Sequence, residues 1–247
     1  MTENVFNRDN RINVLDGLRG SAIIFIVLYH FAFDLQYVFN IIVPYFEGIG
    51  IKIVHFVFII LLIMVSGICT VFSRNLLKRG VVLFFIGEII TMITSIFLPD
   101  EVVIFGAVTF FGIIMMLYSL AKPFLIKIPW KVLLAVSLLL YAVFYNFENR
   151  HILWFNFSVD NRYLYPLGIA YDEFKSSDYF PLIPYGFLFI AGTALSVPVS
   201  ERKLPERFYS IKMPLLDFVG RNSLVIYIVH QPVIIGIMLL IKILLRN

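Results

Sequence analysis

Four ionisable side chains near the start of the chain share one helical face. Asp16 and Arg19 open an apolar run, and His30 and Asp34 follow within it. At about 100° per residue, all four fall in a wedge of about 60°. Arg19 and His30 stand about 16 Å apart along the helix axis at 1.5 Å per residue. A guanidinium at one end of such a stripe can hold a phosphate through paired hydrogen bonds. An imidazole deeper on the same face can act as a base near neutral pH. Asp34, one turn further on, is placed to fix the imidazole tautomer and to support its charged form. The competing reading is a latch of interhelical hydrogen bonds and ion pairs that only holds a bundle together.

The elements that must position this stripe follow from composition. The chain has 247 residues, of which 60% are apolar and 15% charged, and its mean hydropathy is +0.91. Soluble domains run nearer 45–50% apolar and about 25% charged. The abundance of Phe, Ile and Leu excludes disorder. A single cysteine, Cys69, excludes a disulfide scaffold. The net charge of +4 does not point to nucleic acid, because the basic residues sit in short clusters between apolar runs. What remains is an all-α polytopic membrane protein.

Seven runs are long enough to cross a bilayer, which needs about 20 apolar residues per helix. They are Leu18–Phe39, Ile51–Phe72, Gly80–Leu98, Val102–Ala121, Trp130–Phe147, Phe180–Val199 and Gly220–Leu244. None alternates as a barrel strand does, so each is expected to be a helix. A cytoplasmic N-terminus places Arg8, Arg11 and Arg19 inside, then Arg74, Lys78 and Arg79, then Lys122, Lys127 and Lys131. The last inside segment holds Arg202, Lys203, Arg207, Lys212 and Arg221. Outside lie Lys52, Arg150, Arg162, Lys175, Lys242 and Arg246. The excess of basic residues inside predicts a cytoplasmic N-terminus and an external C-terminus. The chain reads as one transmembrane domain over 1–247 with a long outer loop at about 148–179. That loop mixes Trp154, Phe155, Phe157, Tyr163 and Tyr165 with amides and carboxylates, Asp160 among them. Such a mixture suits either a sugar face or an interfacial aromatic belt.

Other polar groups interrupt the apolar runs. Ser223, Tyr227 and His230 share one face of the last span, and Pro232 kinks the helix beside His230. Arg221 and Asn222 stand at its cytoplasmic start, where a positive-inside anchor accounts for Arg221. Glu88 is central in the third span with Thr91 and Ser95 on its face; it is expected either protonated and hydrogen-bonded or paired with Arg19, His30 or His230. His55 reads as interfacial. Ser66-Gly67 offers a place for close backbone approach, as small residues at helix contacts do. Gly106 and Gly112 read as helix-packing contacts in the fourth span. Four scattered histidines without ligand spacing give no metal site, and there is no phosphate-binding glycine loop.

The stretch "LDGLRGSAIIFIVLYHFAFDL", with its Arg19-x10-His30 spacing, resembles the first helix of the transmembrane acyltransferases. More narrowly, the chain resembles the short bacterial relatives of the heparan-α-glucosaminide N-acetyltransferase catalytic domain. The likeness continues through "VSG" at Val65–Gly67, Arg79-Gly80, "DYFPLIPY" at Asp178–Tyr185 and "GRNSLVIYIVHQP" at Gly220–Pro232. It implies a membrane enzyme that takes an acetyl or other acyl group from cytoplasmic acyl-CoA. The acceptor would be an amine or hydroxyl of an extracytoplasmic sugar. His30 and Asp34 would carry the chemistry, with His230 as a second wall. Asp16, Arg19, Ser66, Arg74, Arg79 and Asn222 would face the acyl-CoA, and Asp178 and Tyr179 the acceptor. Acetyl-CoA is the implied co-substrate, with no metal. Membrane lipids, acyl-CoA and the sugar are the expected partners, without nucleic acid, and a homodimer is left open. One departure is clear: relatives often carry a histidine in the fourth span where Thr109 stands here. Two other classes stay open from the residues alone, a proton-coupled secondary transporter and a non-catalytic cell-envelope protein.

Overall fold

The structure, a computed structural model, describes residues 12–159 and 161–244. Arg8, Arg11, Asp160 and Arg246, which enter the charge readings above, lie outside the described residues. The helices are α1 (Asn13–Phe33), α2 (Ile49–Ile68), α3 (Leu76–Phe97), α4 (Ala107–Leu125) and α5 (Trp130–Val143). A two-residue hairpin follows, β1 (His151–Ile152) against β2 (Phe155–Asn156), antiparallel. Then come α6 (Leu182–Ser200), α7 (Glu206–Ser210), α8 (Pro214–Arg221) and α9 (Ser223–Leu244). Among the described residues, seven helices are long and apolar enough to cross a membrane: Asn13–Val38, Ile49–Phe72, Leu76–Phe97, Ala107–Leu125, Trp130–Asn149, Leu182–Ser200 and Ser223–Ile241. Helix satisfies every backbone group internally, which lipid demands.

The chain divides into two units, one of Met1–Ser66 with Arg202–Asn247 and one of Gly67–Glu201. In the first, α1 packs on α8 through glycines. A Cβ added at Gly20 would stand 2.0 Å from the carbonyl oxygen of Leu216, and one at Gly220 would stand 1.8 Å from that of Asp16. Only hydrogen fits where two backbones approach so closely. Towards its other end α1 meets α2 through rings: Phe25 stacks on Phe58 at 4.6 Å and Tyr29 on His55 at 3.7 Å between centroids. After Phe33 the α-helix widens into a π-helical turn over Asp34–Val38. Such turns are often found at functional sites.

In the second unit α3 and α4 close on Gly80, Gly87 and Gly112. A Cβ at Gly112 would meet the Phe84 nitrogen at 2.5 Å. Thr109 is 2% exposed, and its Oγ1 would lie 2.2 Å from a Cβ on Gly87. A histidine at 109 has no room in this packing. Helix α6 forms the core, with Leu188, Phe189, Ala191 and Ala194 buried. Gly67 serves helix packing, since a Cβ there would stand 2.3 Å from the Phe189 carbonyl oxygen.

Two boundaries differ from the hydropathy runs, each for a local reason. The fourth helix starts at Ala107 and not Val102, because Ile104 donates to Ser176 Oγ and Ala107 donates to Asp178 Oδ2, and the chain turns through a left-handed Phe105 before the helix begins. Gly106 is therefore an N-cap and not a mid-helix contact; a Cβ there would meet Val103 and Asp178. The run from Gly220 is broken at Asn222, which caps α8 before α9 begins. The outer loop is a built segment: Arg150 pairs with Asp172 at 2.7 Å and donates to the Ala170 carbonyl. Its hairpin tip presents Trp154 and Phe155 to the exterior.

Candidate active site

The polar stripe of α1 gathers two clusters within the first unit. At the start of the helix, Asp16 is buried and lies between two guanidiniums. Arg19 Nη1 stands 4.0 Å from Asp16 Oδ1, and Arg221 Nε stands 3.6 Å from Asp16 Oδ2. The first pair is one turn apart on α1, and the second is supplied by α8 through the glycine contact. Each guanidinium carries five N–H donors, more than one carboxylate can accept. The pair can thus bind an anion while Asp16 holds both forks in place. Asp217 is buried beside them; its Oδ2 accepts from the Met213 N–H and fixes the first turn of α8. Asn222 caps α8 and donates to the Phe218 carbonyl at 2.9 Å.

About 16 Å along α1, the second cluster contains two histidines. The rings of His30 and His230 are edge to face with centroids 5.0 Å apart. Tyr29 stacks on His55 and lies 6.3 Å from the His30 ring. His230 is buried, and its Nδ1 faces the carbonyl of Tyr227 one turn back. A carbonyl accepts only, so that nitrogen carries the proton and the lone pair of the neutral ring sits on Nε2. Pro232, two residues on, lies inside α9. Asp34 is 2% exposed, and Gln231 Nε2 reaches its Oδ1 over a long 3.5 Å. A buried carboxylate one turn from His30 stabilises positive charge there.

Of the other residues singled out from sequence, Ser66 is half-buried at the end of the first unit's share of α2. Arg74 and Arg79 are exposed at the start of α3 in the second unit. Glu88 is exposed on α3, and Thr91 and Ser95 turn back to donate to Gly87 and Met92 of their own helix. Asp178 holds the N-terminus of α4, and the Tyr179 hydroxyl donates to the Tyr165 carbonyl. Burial raises the Tyr179 phenol well above the ordinary tyrosine range, with Glu148 and Tyr165 adding to it. Tyr29, His55 and Gln231 are functional candidates that the one-helix reading misses. Gln231 had a signal in its place next to His230; the ring stack had none, because it joins two helices. Among the described residues, no group of three His, Cys, Asp or Glu is placed to hold a metal.

With seven membrane-length helices among the described residues and a histidine pair set within them, the all-α chain is a multi-pass membrane protein. A family-wide sequence profile, that of the heparan-α-glucosaminide N-acetyltransferase catalytic domain, matches residues 11–232. The chain belongs to this family of membrane acetyltransferase-like proteins. No match is found among curated proteins or among solved structures.

Proposed function

We propose that the protein transfers an acetyl or other acyl group from cytoplasmic acyl-CoA to an amine or hydroxyl of an extracytoplasmic sugar. The observation that carries this reading is the double cluster on one helix: the Arg19–Asp16–Arg221 group at one end and the His30–His230–Asp34 group towards the other. The first suits the phosphates of the donor and the second suits proton transfer. With the N-terminus inside, as the basic residues favour, donor and acceptor approach the stripe from opposite sides. Arg74, Arg79, Ser66 and Asn222 are the further donor-side residues in this reading, and Asp178 and Tyr179 the acceptor-side contributions of the outer loop.

The chemistry follows from these placements. The acceptor nitrogen or oxygen attacks the thioester carbonyl carbon, forming the new C–N or C–O bond. His30 takes the proton that the nucleophile loses. The C–S bond breaks, and coenzyme A leaves as the thiolate towards the inside, where water protonates it. Asp34 offsets the charge that His30 gains. His230 forms the opposite wall, with its Nε2 lone pair set by the Tyr227 carbonyl.

Purified protein incubated with acetyl-labelled acetyl-CoA tests the reaction class. An acyltransferase releases or transfers the label, whereas a transporter or a scaffold returns all of it as acetyl-CoA. The donor site has its own test. Arg19→Ala is expected to weaken acyl-CoA binding by about ten- to a hundredfold, the range for a hydrogen bond to a charged group. Arg19→Lys should restore only part of this, because Lys lacks the planar fork. Unchanged acyl-CoA affinity in Arg19→Ala, measured by calorimetry, would move the donor contact away from α1.

A further inference from the structure

The face of α8 turned away from α1 is apolar and exposed, and the chain leading into it is basic. Leu215 and Phe218 are 72% and 64% exposed. At about 100° per residue they lie about 60° apart on the helix. Asp217 and Gly220, buried on the α1 side, lie about 130° or more from the middle of that face. We propose that α8 and residues 202–213 before it form a lipid-binding surface that seats on the anionic phospholipid headgroups of a bilayer. Leu215 and Phe218 would then lie among the upper acyl carbons.

Position is the first argument. Only Asn222 separates α8 from α9, whose residues Ser223–Ile241 form a membrane-length span. Val225 and Val229, at the start of that span, are exposed as well. Helix α8 also packs on α1 at Gly17 and Gly20, within the first turns of the span Asn13–Val38. That span has 26 residues, or about 39 Å of helix, against a hydrocarbon core of about 30 Å. Its ends therefore reach the headgroup layers, and α8 is held against one of them. Charge is the second argument. Arg202, Lys203, Arg207, Lys212 and Arg221 are exposed and stand against Glu206 and the buried Asp217. This short stretch thus holds most of the chain's net charge of +4. The Arg202 guanidinium lies 5.3 Å from the centre of the Tyr209 ring, which orients it. Guanidinium and ammonium groups donate strongly to phosphate oxygens. An apolar face with a basic border is the pattern of a helix at an anionic membrane surface. A protein partner would be drawn by one of these features. An anionic bilayer meets both, and the two adjoining spans already place it there.

The test uses the full chain in nanodiscs of phosphatidylcholine. Cys69 is replaced with Ala, and a bimane fluorophore is attached through Leu215→Cys. Nitroxide-labelled phosphatidylglycerol or nitroxide-labelled phosphatidylcholine is added at equal fraction, with the nitroxide high on the acyl chain. Phosphatidylglycerol is expected to quench bimane at 215 about fivefold more efficiently, the enrichment that one basic residue near an anionic surface supports. At about 1 M salt, where the screening length falls to about 3 Å, the two lipids should quench alike. Combining Lys203→Gln, Arg207→Gln and Lys212→Gln should remove the preference at low salt; Arg221 is left in place because it also serves Asp16. Bimane attached through Ile237→Cys, exposed about 21 Å along α9, should show no preference. Equal quenching by both lipids at 215 in low salt overturns the proposal. Quenching by neither lipid means that protein covers α8, and overturns it too. Both outcomes are read with the basic residues intact, so they stand even if the triple variant fails to fold. A preference that survives in a folded triple variant would also contradict the proposal, since the attraction would then come from elsewhere.

Discussion

Replacing His30 with Ala is expected to lower acyl transfer by about 10²–10⁴-fold, the usual contribution of a positioned general base. Folding and acyl-CoA affinity should change little, since the cluster proposed to hold the donor lies about 16 Å away along α1. Asp34→Asn should cost less. It removes charge support from a carboxylate that is 2% exposed, but it leaves the imidazole in place. A latch that merely ties α1 to α9 predicts a different pattern. In that case His30→Ala would lose its edge contact to His230, the Tm in detergent would fall, and lost activity would track lost protein. Measuring Tm, acyl-CoA affinity and turnover on the same preparations separates the two. A stable His30→Ala protein with full turnover would remove His30 from the mechanism and leave the Nε2 of His230 as the base to examine.

The second large effect concerns the junction of α1 and α8. Gly220→Ala and Gly20→Ala are expected to destabilise the protein strongly, because each new methyl would meet a backbone carbonyl oxygen, at 1.8 Å and 2.0 Å respectively. Backbone cannot swing aside as a side chain can, so the helices must part. Overpacking costs about 1–3 kcal/mol where side chains can adjust, and these contacts lie beyond that case. The carbonyl struck by Gly220→Ala belongs to Asp16 itself, so the displaced helix should also lose acyl-CoA affinity through Arg19 and Arg221. Gly236→Ala provides the comparison: nothing lies within 4 Å of its added carbon. Alanine there should be neutral or stabilising by up to about 1 kcal/mol from helix propensity. Equal Tm for the Gly220→Ala and Gly236→Ala proteins would contradict the close α1–α8 packing.

The sequence carried the helical content and the polar stripe, because both are periodic properties of single segments. Hydropathy marks a span whatever packs against it, and a repeat of about 100° aligns Asp16, Arg19 and His30 without knowledge of any partner. What it did not carry lies between segments. The pairing of Arg221 with Asp16 depends on α8, whose last two residues, Gly220 and Arg221, hydropathy joins to α9 because Asn222 interrupts the helix without a long polar stretch. The stack of His55 on Tyr29 and the approach of His230 to His30 depend on which helices are neighbours. The π-helical turn at Asp34 lies outside any reading at a fixed 100° per residue. The late start of α4 was hidden because Val102–Gly106 is as apolar as a helix, and the bonds from Ser176 and Asp178, over 70 residues away, that keep it non-helical are not legible in hydropathy.

The central claim is transfer across the membrane along one helix, and sealed vesicles test it most directly. Protein is reconstituted into liposomes that enclose methyl β-glucosaminide, and acetyl-labelled acetyl-CoA is added only outside. Neither compound crosses a sealed bilayer unaided, since charge and polarity make that transfer costly. For molecules whose N-terminus faces the added donor, the label should appear on the enclosed sugar, and His30→Ala vesicles should give none. Label found only on sugar supplied on the donor's own side, or equal transfer by the His30→Ala protein, would contradict the account.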